Sequence, residues 1–269
     1  MAENPRNLVS SEIVTLQNIQ IEPSSRLISS GETMAFDAAH PELYFFHGKS
    51  AMRVVFGTLA LLGRDRSSVS SILDFACGHG RVTRYFRSSF PAASIVVSDV
   101  DGAGVTFCAT TFEAEPHISA SVEIEAINFH RQFDLIWVGS LLTHVDVEDW
   151  HRFMRLWRRS LNPGGILIFT YASSYVRYLA QGGEFANLDQ SALTRAVSSF
   201  DDTGFGYLPY TPNGTFGQTF ATEQWVSNFL GQYPALRSVL HFERGWGARQ
   251  NVVAVTLDEV AEIIGDGVP

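Results

Sequence analysis

The chain lacks any apolar run of about eighteen residues, the length a membrane-spanning helix needs. Cysteine is scarce, with only Cys77 and Cys108 present, and they lie in separate segments that offer neither a disulfide framework nor a zinc-ligand spacing. Positive charge is also short. Lys and Arg number 19 against 28 Asp and Glu, a formal net charge of −9, whereas gripping a phosphate backbone depends on clustered basic residues. These shortages argue against a membrane protein, a disulfide-stapled scaffold and a nucleic-acid binder. The opening stretch MAENPRNLVSSEIVTLQ has no basic segment followed by an apolar core, so no signal peptide is expected and a reducing cytoplasm is the expected compartment. The triplet at Asn213 then reads as a chance glycosylation sequon.

What is present is the balance of a globular protein, 45% hydrophobic and 17% charged residues over 269 positions. That length fits one large domain with insertions about as well as two small ones. The densest basic stretch, HRFMRLWRRS at 151–160, reads as the basic C-terminal half of an amphipathic helix.

From residue 71 short apolar runs alternate with helical segments: SILDFA, ASIVVSDV, SVEIEAI, FDLIWVGS and GILIFTY. Such runs separated by helices predict an α/β domain whose parallel sheet is covered on both faces. GKSAMRVVFGTLALLG at 48–63 reads as a capping helix, and ATEQWVSNFLGQY at 221–233 as another with Thr222 as N-cap. RSVLHFERG and QNVVAVTL, joined by GWGA, read as an antiparallel hairpin. Between GILIFTY and the 221–233 helix, 174–220 is rich in Gly, Ser and aromatics and reads as an inserted lid.

The stretch ILDFACGHGRVTRYF at 72–86 carries the chemistry. An apolar strand with Asp74 leads into a loop with Gly78 and Gly80 and then a helix, an arrangement that aims free N–H groups at an anionic or polar ligand group. A dinucleotide fingerprint would need a third glycine where Thr83 stands, and a phosphate loop would need Gly-Lys-Ser/Thr.

The order Asp74, Ala76, Gly78, Gly80 instead resembles the first motif of class I S-adenosylmethionine-dependent methyltransferases, with Ala76 in place of that motif's first glycine. SIVVSDVDGAGV, FDLIWVGSLLTHV and LNPGGILIFTY follow in the family's order. The resemblance implies a Rossmann-like, doubly wound seven-stranded sheet with an antiparallel last strand. Its parts would be an N-terminal arm and helical cap over 1–70, a core over 71–173 and 221–257, the lid over 174–220, and a tail over 258–269. The implied cofactor is S-adenosylmethionine, held by Asp74, Ala76, Cys77, Gly78, Gly80, Asp99, Val100, Asn128 and Ser140. Asp99 would grip the ribose, since a carboxylate can accept from both hydroxyls, with Asp101 as the alternative. Glu123, Glu125 and Asn128 compete for the adenine, and Asn128 is favoured.

His144, after the fourth strand, is the candidate base, having an ordinary pKa suited to proton transfer. Its rival reading is structural. Asp146, Glu148 and Asp149 read as an N-cap and first turn rather than a metal cluster. Tyr44, His47, Tyr171 and Tyr207 are the expected acceptor wall, accompanied by Phe45, Phe46, Tyr175, Tyr178, Phe205 and Tyr210. The expected partner is a small-molecule acceptor methylated at oxygen or nitrogen, with no nucleic acid and no membrane. An aromatic cap could equally serve an interface in a homo-oligomer. The alternatives are an inactive binding module of the same fold and a nicotinamide-nucleotide oxidoreductase.

Overall fold

Alternation along the strands is what builds the two cores. In the computed structural model, which describes residues 21, 26–32, 41–119, 123–174, 182–183, 189–212 and 214–258, all of β1 (Ser71–Phe75) is buried. Leu73 and Phe75 face one side of the sheet with Trp150, Phe153 and Trp157, while Ile72 faces the other with Val55, Phe86 and Val105. A strand covered on both faces needs apolar residues throughout, which is why its sequence reads as a continuous run.

The strands β2 (Ser94–Asp99), β3 (Glu115–Ile118), β4 (Phe133–Val138), β5 (Leu161–Tyr171), β8 (Leu236–Trp246) and β9 (Gln250–Leu257) complete a seven-stranded sheet in the order β3-β2-β1-β4-β5-β9-β8. β1 to β5 pair in parallel. β9 runs antiparallel to both β5 and β8. The Rossmann-like sheet with its reversed closing strand is therefore as expected. Helices α1 (Pro41–Leu61), α2 (Thr83–Ser89) and α3 (Gly102–Phe112) supply residues to one core, and α4 (Val147–Arg159) and α6 (Glu223–Leu230) to the other. Among the described residues no helix is long and apolar enough to cross a membrane.

Three segments depart from expectation. The third strand is Glu115–Ile118, not SVEIEAI, of which Ile124–Ala126 forms a single 3-10 turn. β3 pairs only with β2 and is largely exposed, so it carries no apolar run, and as an edge strand it tolerates Pro116. The capping helix starts at Pro41, seven residues earlier than read from 48, because proline suits the first helical position. The segment expected as a weakly regular lid contains α5 (Gln190–Thr203) and a separate hairpin of β6 (Phe205–Pro209) and β7 (Gly217–Ala221). α5 buries Ala192, Ala196 and Phe200, spaced by four as one helical stripe requires.

That hairpin is tied to the main domain by its backbone. The N–H groups of Gly217, Thr219 and Ala221 donate to the carbonyls of His144 (2.8 Å), Thr143 (2.8 Å) and Ala172 (2.9 Å). Thr143 and His144 lie in the turn after β4, so β7 acts as an added strand along that turn.

Candidate active site

The loop after β1 is drawn tight by three residues in the left-handed region, Ala76 (φ 60°), Gly78 (φ 51°) and Gly80 (φ 78°). A side chain at Gly80 would collide with the Phe112 ring and the Cys108 sulfur, whereas nothing lies on the side-chain side of Gly78. The loop therefore packs tightly at Gly80 and stays open to a ligand at Gly78.

Asp99, at the end of β2, accepts from the Gly78 N–H at 2.8 Å through Oδ2 and from the Asp101 N–H at 3.0 Å through Oδ1. Asp101 caps α3, accepting from the N–H groups of Ala103 and Gly104. Val100 beside them is 50% exposed and free to line a ligand.

Asp74 is fully enclosed and accepts from the Thr83 hydroxyl at 2.6 Å. Burial pushes its carboxyl up to about 7, with the Asp99 charge adding to the rise and the Thr83 bond opposing it. The sulfurs of Cys77 and Cys108 each lie 3.5 Å from the Gly78 carbonyl oxygen. The Cys108 thiol beside Cys77, and then burial, raise the Cys77 thiol well above its ordinary range, so Cys77 is a loop-packing residue and not a nucleophile.

Beyond β4, Ser140 adopts a left-handed backbone (φ 68°). Its N–H donates to Thr170 Oγ1 at 2.7 Å, its Oγ accepts from Gln250 Nε2 at 2.9 Å, and Thr170 closes the circuit by donating to Gln250 Oε1 at 2.6 Å. His144 Nδ1 lies 3.1 Å from the Gly217 carbonyl and 2.8 Å from the Tyr210 hydroxyl. Because a carbonyl only accepts, Nδ1 carries the proton and Nε2 keeps its lone pair. Burial lowers the ring's pKa, which holds it neutral near pH 7. Tyr207 stands half-buried in β6 on the same hairpin, and Tyr210 is 42% exposed just past its end.

Other expected positions fall elsewhere. Tyr44 is buried, donating to Glu32 Oε2 at 2.8 Å and accepting from Arg84 Nη2 at 3.1 Å, so its hydroxyl serves the core and not an acceptor. Tyr171 is fully buried, its hydroxyl 2.6 Å from His241 Nε2 and accepting from Asn251 Nδ2 at 3.1 Å, with its ring against Trp150. Phe205 is buried against Trp225. Asn128 caps a turn by accepting from the His130 N–H at 2.8 Å. It lines a cleft with Arg159 and Ser160 where β4 and β5 begin, the sheet edge opposite the glycine loop, and this removes it from an adenine site. Phe45 and Phe46 lie in the first turns of α1, with Phe46 48% exposed, while Tyr175 and Tyr178 lie outside the described residues. His47 is half-buried in α1, its carbonyl accepting from Trp246 Nε1 at 2.9 Å.

Three positions at or beneath the sheet edge escaped the sequence reading. Ser119, directly after β3, donates its N–H to the Asp99 carbonyl at 2.9 Å and so stands where the adenine contact was sought. Gln250 opens β9 at the same edge, a placement visible once the hairpin was read. Arg84 is fully buried beneath the loop, donating to the carbonyls of Gly80 (2.9 Å) and Leu27 (3.1 Å). No composition signal marks an arginine of that kind.

A parallel sheet with one reversed strand, a glycine loop after its first strand and an acid ending its second defines an enzyme fold that binds a nucleoside cofactor at the strands' C-terminal edge. The methyltransferase domain family matches residues 72–165. The matched span is about a third of the chain, and the sheet around it has the fold of class I S-adenosylmethionine-dependent methyltransferases.

Among similar solved folds, the 1,6-didemethyltoxoflavin-N1-methyltransferase of Burkholderia thailandensis, bound to 1,6-didemethyltoxoflavin and S-adenosylhomocysteine, has a TM-score of 0.53 at 15% identity, covering 96% of this chain and 92% of that one. A S-adenosylmethionine-dependent methyltransferase of Clostridium acetobutylicum has a TM-score of 0.50 at 14% identity, over 80% and 92% of the two chains. DesVI of Streptomyces venezuelae has 0.50 at 12% identity, over 82% and 99%. No curated protein matches the chain.

Proposed function

We propose that this enzyme methylates an oxygen or nitrogen of a small organic molecule that enters beneath the β6–β7 hairpin. The residues fit the cofactor: Gly78 leaves an open cradle and Asp99 a carboxylate at its rim. Asp99 would hold the ribose, Asp74 and the loop through Gly80 the amino-acid end, and Val100 with Ser119 the adenine. Bound there, S-adenosylmethionine supplies an electrophilic methyl group.

The observation that carries the acceptor reading is the joint between hairpin and turn. β7 is bonded along the residues after β4, and the same joint fixes His144 with Nδ1 protonated and Nε2 free among the described residues. A neutral imidazole so oriented takes the proton from a hydroxyl or an ammonium nitrogen. Tyr207 and Tyr210 line the approach, and aromatic walls suit a flat organic acceptor. Alignment and exclusion of water supply the rest.

The test is calorimetric titration with S-adenosylmethionine and S-adenosylhomocysteine, followed by transfer of a radiolabelled methyl group to a panel of small phenols, amines and N-heterocycles. Micromolar binding with label recovered in a small molecule is the expected result. Binding without transfer to any small molecule, but with transfer to protein or nucleic acid, would refute the acceptor class. A pH profile of the His144→Ala variant then separates a base from a structural residue.

A further inference from the structure

The glycine loop ends in a guanidinium that the cofactor reading leaves unused. Arg81 follows Gly80 and lies with its guanidinium carbon 4.8 Å from the centre of the Trp246 ring. No hydrogen bond or ion pair to that guanidinium is present among the described residues. Its neighbouring carboxylates are engaged elsewhere, Glu32 with the Tyr44 hydroxyl and Asp74 with the Thr83 hydroxyl.

Two more basic groups face the same corner. The His47 ring borders Gly247 in the turn between β8 and β9, and both Arg81 and Arg249 disfavour its protonation, after burial. Three elements, α1, the glycine loop and the β8–β9 turn, thus bring two guanidinium groups and a neutral imidazole to one corner of a chain whose net charge is −9. The corner lies on the acceptor's half of the sheet edge. Trp246 packs on Trp137 of β4 at 5.7 Å between ring centroids, and Gln250, at the far end of the same turn, is bonded to Ser140 in the stretch that leads to His144.

Resting on the methyltransferase reading above, we propose that the acceptor carries a carboxylate, held by Arg81 together with Arg249 and His47 while the methyl-accepting atom faces His144. A planar oxyanion matches the guanidinium fork, and the Trp246 ring beneath it holds that fork in place.

The experiment uses benzoate and its uncharged isostere benzamide, titrated into the full chain saturated with S-adenosylhomocysteine so that the cofactor's own carboxylate is already placed. Benzoate should bind in the millimolar range, as its size dictates, with benzamide at least about tenfold weaker. Arg81→Gln should lose at least about tenfold in benzoate affinity while keeping S-adenosylhomocysteine affinity within about twofold. Equal binding of benzoate and benzamide, or of benzoate by both proteins, overturns the proposal. So does a loss of S-adenosylhomocysteine affinity in Arg81→Gln with 5′-methylthioadenosine binding retained, which would give the guanidinium to the cofactor's carboxylate. If the wild type binds no S-adenosylhomocysteine, the methyltransferase reading fails separately, and the benzoate titration of the cofactor-free protein still reports on the anion site.

Discussion

Asp74→Asn removes an ionisation and little else, since the amide oxygen can still accept from Thr83. The wild-type carboxyl moves from an ordinary 3.8 to about 7 on folding. At about 1.4 kcal/mol per pKa unit, full ionisation destabilises the fold by about 4 kcal/mol. The unfolded chain gives up this proton first, so stability held by the protonated group is complete below 3.8 and is lost as pH rises through about 7. From about pH 5 to about pH 8 the wild type should lose about 3 kcal/mol relative to the variant. Urea unfolding of both proteins at the two pH values measures this, and histidines common to both cancel in the difference. Two stability curves that stay parallel across the interval would refute the buried-carboxyl argument. The same ionisation should make S-adenosylhomocysteine affinity rise as pH passes about 7, because an ionised Asp74 attracts the ligand's ammonium group.

Asp99→Ala should weaken S-adenosylhomocysteine binding at least about tenfold by calorimetry, a charged acceptor being lost from the rim of the site. Ala76→Gly should raise stability by roughly 0.5–1 kcal/mol in urea titration, relief of the left-handed strain outweighing the greater freedom of the unfolded chain. Arg84→Ala should cost about 3–5 kcal/mol and speed proteolysis of residues 26–32, because Leu27 and, through Tyr44, Glu32 are fastened to the loop by that one guanidinium.

The sequence made the site's first half readable because each of its parts has a local signature. A glycine loop needs small residues, a strand end needs an acid, and both fall in order with apolar strands around them. Asp146 as cap was equally local, and it accepts from the Asp149 N–H at 3.0 Å. β3 escaped because an exposed edge strand has no apolar run, while Val122, Ile124 and Ala126 imitate the alternation of one. α5 escaped because two Asp and three Ser obscure a stripe of only three buried side chains, although Asp189 as cap and Gly204 at its end were in view. Tyr44 and Tyr171 were misjudged because a tyrosine in a core looks like one in a pocket until its hydroxyl partner is known. The Arg81, His47 and Arg249 corner joins residues some two hundred positions apart, a proximity that only the hairpin's return to α1 creates.

The bonds that seat β7 along the turn after β4 come from its main chain and from the side chains of Gln218 and Thr219, none of them from the loop that joins β6 to β7. The loop at 210–216, which carries Tyr210, can therefore be rewritten without unfastening the hairpin that presents it. The fastening and the exposed loop are thus separable, and if the hairpin meets the acceptor as proposed, a library confined to these positions is the economical route to a new one.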